Sequence, residues 1–215
     1  MDYEVHIIAT GYSKLMPNGK GYHANCSCTL IKSGKYKLIV DTMTPWDRQY
    51  ILDKLKVFDV KPDEIDYVIS THGHSDHLGN NNLFLNAKHI VGHCFSFKDE
   101  YYDDPFTEES DNCFYIDNKR LYLMATPGHT ASCISVLVET KQGIVAVAGD
   151  LFERKEDLTN EYIWLSAGSE NHQLQRENRL KIINLSDWVI PGHGEMFQIT
   201  DDIKSEMNKQ SCTDQ

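Results

Sequence analysis

Between residues 72 and 77 the chain reads His72-Gly73-His74-Ser75-Asp76-His77, four nitrogen or carboxylate donors in six positions. A polar strand-to-helix loop accommodates one histidine without comment. Three histidines and an aspartate at this spacing form a ligand set, and imidazole with carboxylate suits zinc, iron or manganese. Gly73 relaxes the backbone between two of the donors. A metal needs more donors than one loop presents well, so the fold must bring distant segments back to this point. Three segments stand ready: His129 in Thr126-Pro127-Gly128-His129-Thr130, Asp150 in Ala148-Gly149-Asp150, and His193 in Pro191-Gly192-His193-Gly194. Each alone is a weak signal. Their weight lies in their order and in what precedes them.

Each of these donors follows an apolar run that reads as a strand. Tyr67–Ser70 leads to His72, Leu121–Ala125 to His129, Ile144–Ala148 to Asp150, and Trp188–Ile190 to His193. Ligands at strand ends converge on one edge of a sheet, where loops gather them into a site. Val5–Thr10, Cys28–Lys32, Lys37–Asp41 and Cys133–Val138 read as further strands, with turns at Pro17-Asn18-Gly19 and Ser33-Gly34-Lys35. Thr44-Pro45 has the form of an N-cap followed by a first-turn proline, and Ile51, Leu52, Leu55 and Phe58 repeat behind it at helical spacing. A short helix is expected near Asn80 and a longer one over Glu170–Leu185. No low-complexity linker divides the chain. One domain is expected over residues 1–203, with a polar tail over 204–215 that frays.

Composition limits the partners. The net charge of −11 argues against strong general affinity for phosphate backbones. Much of the excess lies between Lys98 and Asp111, where seven carboxylates meet one lysine, and this stretch reads as a solvated loop. Local basic residues stand at Lys14, Lys20 and Arg176–Lys181. The six cysteines contain no C-x-x-C pair, so neither a disulfide scaffold nor a thiolate zinc ribbon is expected. They read as free thiols in a reducing compartment, the cytosol or nucleus. The first residues show no basic patch ahead of an apolar run, and no apolar stretch is long enough to span a bilayer; neither leader nor membrane association is expected.

The pattern H-x-H-x-D-H…H…D…H resembles that of the metallo-β-lactamase superfamily, on the stretches THGHSDHLGN, ATPGHT, VAVAGDLFER and VIPGHG, and the resemblance covers nearly the whole chain. It implies an α/β fold, the four-layer αβ/βα sandwich, on the glyoxalase II-like side of the family. It also implies two divalent metal ions, zinc first, with iron or manganese as alternatives. The first would be held by His72, His74 and His129, the second by Asp76, His77 and His193, with Asp150 bridging. Asp76 and Asp150 are then the catalytic carboxylates, around an attacking hydroxide. Asp41 matches a superfamily position that supports the metal loop; a strand-end turn aspartate is the competing reading.

The fold does not choose the substrate. The nearest resemblance implies an endoribonuclease cleaving the 3′ end of histone-coding pre-mRNA, with single-stranded RNA as partner. Bases would stack on rim aromatics, for which Tyr12, Tyr22, Phe95, Phe97, Tyr101 and Tyr102 are candidates. The alternative is a hydrolase of small thioesters or lactones. A mononuclear iron dioxygenase using His72, His129 and Asp150 is disfavoured by the complete second ligand set. His23, His89, His93 and His172 read as ordinary surface or core histidines, Tyr162 and Trp164 as packing residues, and Cys133 as no nucleophile by position alone. A homodimer is kept as a candidate assembly, with no residue to argue for it.

Overall fold

Strand alternation in this chain sorts side chains into three separate apolar layers. In the computed structural model, which describes residues 2–213, the first sheet follows β1 (Glu4–Ala9), and a detached hairpin of β2 (Tyr12–Leu15) and β3 (Tyr22–Asn25) precedes β4 (Cys28–Lys32) and β5 (Lys37–Val40). Then come α1 (Arg48–Val57), β6 (Tyr67–Ser70), α2 (Ser75–Leu78), β7 (Lys88–Val91), β8 (Cys94–Phe97) and β9 (Glu100–Tyr102). The second half holds β10 (Cys113–Asp117), β11 (Leu121–Ala125), β12 (Ile134–Thr140), β13 (Gly143–Gly149), α3 (Tyr162–Ser166), α4 (His172–Leu185), β14 (Trp188–Pro191), β15 (Phe197–Gln198) and α5 (Asp201–Thr213). One sheet has the order β1-β4-β5-β6-β7-β8-β9 and the other β10-β11-β12-β13-β14-β15.

The period of two along each strand sends neighbours to opposite faces. Ile31, Leu38, Val40 and Ile69 of the first sheet face Leu123, Val136, Val138, Val145, Val147 and Ile190 of the second. Their neighbours Leu30, Ile39 and Val68 turn outward onto Ile51 and Leu55 of α1. On the other side Leu137, Ala146, Ala148 and Val189 meet Ile182 and Ile183 of α4. Helix, sheet, sheet and helix therefore stack as the four expected layers.

Parallel pairing places the site. β5 runs parallel to β6, and β13 parallel to β14, so Asp41, Thr71, Asp150 and Gly192 all follow strands that end at the same rim. At that rim the chain comes very close to itself. A Cβ on Gly192 would fall on Asp150 Oδ1, so only glycine leaves that carboxylate its place.

Several local expectations shift. The helix placed near Asn80 starts earlier, as α2 at Ser75, and only a single 3-10 turn covers Asn81–Leu83. A 3-10 turn at Pro45–Asp47 precedes α1; Asp47 Oδ2 accepts the Thr44 N–H at 3.1 Å and the Asn25 side-chain amide at 2.9 Å, tying hairpin to helix. The polar stretch from 204 does not fray among the described residues. It continues α5 to Thr213, and Ile203 and Met207 pack against the third apolar layer, so the boundary drawn at 203 falls inside a helix. Among the described residues, no helix is long and apolar enough to cross a membrane.

Candidate metal centre

All seven sequence-predicted donors meet at the rim between the two sheets. His72, His74, Asp76 and His77 come from the β6–α2 loop and α2, His129 from the loop after β11, Asp150 from the residue after β13, and His193 from the loop after β14. They form two sets, and Asp150 of the first also reaches the second. His72, His74, His129 and Asp150 present ligand atoms within 4.8 Å of one another, and so do Asp76, His77 and His193.

The atoms that face each other are all acceptors in the neutral tautomers that carry each ring proton on the other nitrogen. His74 Nδ1 lies 2.9 Å from His72 Nε2 and 3.1 Å from His129 Nε2. Asp150 Oδ2 lies 3.6 Å from His72 Nε2 and 3.4 Å from His129 Nε2. The edge of a tetrahedron of zinc–nitrogen bonds is about 3.3 Å, close to these separations. In the second set Asp76 Oδ2 is 3.9 Å from His77 Nε2 and 3.8 Å from His193 Nε2. Asp150 reaches this set too: Oδ1 lies 3.2 Å from His77 Nε2, and Oδ2 lies 3.3 Å from His193 Nε2. His77 Nε2 and Asp150 Oδ1 are buried with no hydrogen-bond partner, a costly arrangement unless a cation stands among them. The donor set and its orphaned atoms fit divalent metals.

The second nitrogen of two rings is fixed from behind. His77 Nδ1 donates to Asp41 Oδ2 at 2.9 Å, and His193 Nδ1 donates to the Asn25 carbonyl at 3.0 Å, so both turn Nε2 inward. Asp41 is almost fully buried and also accepts the Thr71 N–H at 2.8 Å and the Thr71 hydroxyl at 3.0 Å. It supports the metal loop, and the plain turn reading is set aside.

Burial, with the His77 charge behind it, pushes His72 well below the ordinary histidine range, and burial also lowers His129; both are neutral donors. At His77 and His193 burial opposes charging, but it is outweighed by Asp150, joined at His77 by Asp41. His77 is held well above its usual value and His193 is raised to about 9. For Asp150 burial favours the neutral acid, yet the His77 and His193 charges overrule it and hold it well below the carboxylate range. The centre is built around one carboxylate that stays ionised.

A cleft of about 430 Å³ opens over His74, Asp76, Asp150 and His193. Ser13, Leu15, Tyr22 and Ala24 of the hairpin form one part of its wall, and Tyr162, Ile163, Ser166 and Ala167 of the α3 segment another. Arg154 is the only lysine or arginine among these lining residues. Sequence reasoning missed Glu153, which is buried beside Asp150 and His193 and pushed up to about 8 by burial and then by the Asp150 charge. Arg154, Lys155, Glu156 and Asp157 follow it, so in the sequence it reads as the start of an ordinary charged loop.

Other expectations sort plainly. Tyr22 lines the cleft and is 55% exposed; Tyr162, read as packing, also lines it and is 74% exposed, whereas Trp164 is fully buried as expected. Phe95, Phe97, Tyr101 and Tyr102 do not line it. They sit on β8 and β9, at the far edge of the first sheet, and Phe95 belongs to the core between the sheets. The five described cysteines are free, and Cys133 is buried with its thiol raised to about 11, which rules out a ready thiolate.

Comparison with known proteins places this geometry among relatives. The Metallo-beta-lactamase superfamily profile matches residues 21–193. Metallo-beta-lactamase domain-containing protein 1 of Xenopus laevis is 39% identical over 198 residues, covering 92% of this chain and 82% of the relative. A probable metal-dependent hydrolase from Staphylococcus aureus superposes with a TM-score of 0.70 at 18% identity, over 94% of each chain. Bacillus thuringiensis AiiA, solved with N-decanoyl-L-homoserine at its active site, gives 0.64 at 21% identity, over 90% of this chain and 94% of its own.

Proposed function

The chain belongs to the metallo-β-lactamase superfamily, and from that premise we propose that this metallo-hydrolase uses two divalent metal ions, zinc first, to hydrolyse phosphodiester bonds in single-stranded RNA. The observation behind the two-metal reading is Asp150, whose oxygens reach both donor sets. A mononuclear iron site would have no use for Asp76, His77 and His193 gathered so closely. When bound, the two cations supply Lewis acidity and lower the pKa of the attacking water. The chain does the rest. Asp41 and the Asn25 carbonyl hold His77 and His193 in the tautomer that presents Nε2. Asp76, a partly buried donor lining the cleft, orients the nucleophile through its carboxylate.

The RNA reading draws on the resemblance carried by the metal loops and on the cleft wall. Tyr22 and Tyr162 come from different elements, both exposed at the cleft, and tyrosine rings stack on unpaired bases. Arg154 lines the cleft and offers a cationic donor that suits a phosphate oxygen. A duplex hides its base edges from such a surface. The five described cysteines are free, and we propose a reducing compartment, the cytosol or nucleus. Single-stranded RNA carrying a histone 3′ end is the substrate to test, in zinc-replete buffer at low salt. Cleavage by the wild type and none by His74→Ala prepared in parallel is the expected result. Intact RNA with both proteins overturns the RNA reading.

A second reading is favoured by the other lining residues. Leu15, Ala24, Ile163 and Ala167 make part of the wall apolar, and about 430 Å³ lies within the range of small-molecule sites. A lactone or thioester fits there as well, and the Bacillus thuringiensis neighbour holds an acyl homoserine in its own site. Turnover of N-acyl homoserine lactones or S-lactoylglutathione without RNA cleavage selects this reading.

A further inference from the structure

Helix α4 lies outside the metal centre, yet one of its residues meets two of the loops that build it. Gln175, in the first turns of α4, is fully buried. Its Nε2 donates to the Asp150 carbonyl at 3.1 Å, with the Leu151 carbonyl at 3.4 Å. This holds the backbone of the residue whose carboxylate reaches both donor sets. The same residue is the floor under the His129 loop. Gly128 has φ +152°, and a Cβ placed there would lie 2.4 Å from Gln175 Cα and 2.5 Å from its Cβ. The loop can therefore settle on α4 only because residue 128 is glycine.

Neighbouring bonds close the docking. The Asn171 N–H donates to the Gly128 carbonyl at 2.9 Å, the Glu170 N–H to the His129 carbonyl at 3.1 Å, and the Asn178 side-chain amide to the Pro127 carbonyl at 2.7 Å. These three bonds fix the His129 loop alone. Gln175 is the residue that binds it to the Asp150 segment as well. His129 and Asp150 come from different strands, β11 and β13, and β12 lies between those strands in the sheet. Sheet pairing alone leaves the approach of their side chains to the loops. The observed 3.4 Å between His129 Nε2 and Asp150 Oδ2 is set where both loops rest on one residue, the His129 loop on its backbone and Cβ and the Asp150 segment on its amide.

We propose that Gln175 is a positioning residue of the metal centre, fixing the separation of His129 and Asp150 by hydrogen-bonding the Asp150 backbone while supporting the His129 loop. The proposal rests on the two-metal reading, and its test does not depend on the substrate. Zinc affinity is measured by competition with a chromophoric chelator for the wild type, for Gln175→Met and for Leu174→Ala, a control on the outer side of the same helix. Methionine keeps the volume and removes the donor. Zinc affinity of Gln175→Met should fall roughly 10–100-fold, the usual cost of losing support behind a ligand, with thermal unfolding in EDTA close to wild type. Leu174→Ala should match the wild type in both.

Wild-type zinc affinity in folded Gln175→Met overturns the proposal, as does lowered stability in EDTA with zinc affinity intact. If Gln175→Met does not fold, Gln175→Glu keeps the shape and turns an acceptor toward the two carbonyls, and the same comparison applies. Failure of both to fold, with or without zinc, assigns Gln175 a purely structural role and refutes positioning. A wild type that binds no zinc at all sinks the two-metal reading instead, which keeps the two failures apart.

Discussion

Replacing Asp41 with asparagine changes one atom of the support behind His77 and should empty one metal position while leaving the fold in place. Asp41 lies at φ +57°, where asparagine is tolerated but alanine adds about 1–2 kcal/mol of backbone strain. Its two oxygens receive three donors: the Thr71 N–H, the Thr71 hydroxyl and His77 Nδ1–H. An asparagine must turn its NH2 toward one side. The Thr71 amide cannot cease to donate, so the NH2 faces His77, whose ring can exchange tautomers. The proton then moves to His77 Nε2, the atom directed at Asp76 and Asp150, and blocks it as a ligand. The loss of charge in these bonds costs about 1–2 kcal/mol of stability, a shift that urea unfolding of EDTA-treated protein would show. Affinity for one of two zinc ions should drop roughly 10–100-fold, which is about 1.4–2.7 kcal/mol. Titration against a chelator should split into one tight and one weakened site. Two sites of wild-type affinity in Asp41→Asn would refute this account of the tautomer.

Asp150→Ala should lose both metals, because its oxygens reach both sets; elemental analysis still near two ions per chain would exclude the bridging role. Metal-free protein should lose stability as pH rises, through Glu153 between about pH 4.5 and 8 and through His193 between about pH 6.5 and 9. His193, raised to about 9 in the fold, and Glu153, raised to about 8, both hold their protons more tightly folded than unfolded, so their contribution is complete below the unfolded pKa and disappears as pH rises through the folded one. Calorimetry in EDTA showing stability rising over those ranges would contradict the sign. Arg179→Met should destabilise by about 3–5 kcal/mol in urea unfolding, since it leaves buried Asp157, 2.7 Å from the guanidinium, without its partner; a change under about 1 kcal/mol would mean the pair contributes little. If RNA is the substrate, Tyr162→Ala should weaken oligonucleotide binding by about 1–3 kcal/mol, and unchanged anisotropy titrations would remove Tyr162 from the binding surface.

The gathering of the candidate donors was legible because the sequence places them after apolar runs of strand length, and parallel pairing then brings those strand ends to one rim. The hairpin was not. Tyr12–Leu15 and Tyr22–Asn25 pair only with each other and are mostly exposed, so no apolar alternation marks them, although they form a wall of the cleft. The aromatics at 95–102 misled for the opposite reason. Composition identifies rings suited to stacking, but β8 and β9 carry them to an edge that only sheet order reveals. Helix α5 shows the weakness of polarity as a sign of disorder, since two apolar residues four apart, Ile203 and Met207, are enough to dock it. Gln175 and Glu153 had no pattern to announce them; a single buried polar residue is recognised by what it touches.

The two sheets are also two consecutive halves of the chain, with Glu4–Tyr102 supplying one and Cys113–Gln198 the other. Four donors, His72, His74, Asp76 and His77, come from the first half, and His129, Asp150 and His193 from the second. Neither half can complete either donor set. A chain opened at the exposed Glu108–Glu109 turn would yield two complementary pieces whose reassociation depends on zinc as well as on the apolar faces between them. Such a split protein would act as a coincidence detector, joining only when both fragments and the ion are present, and its reassembly would be reversed by a chelator.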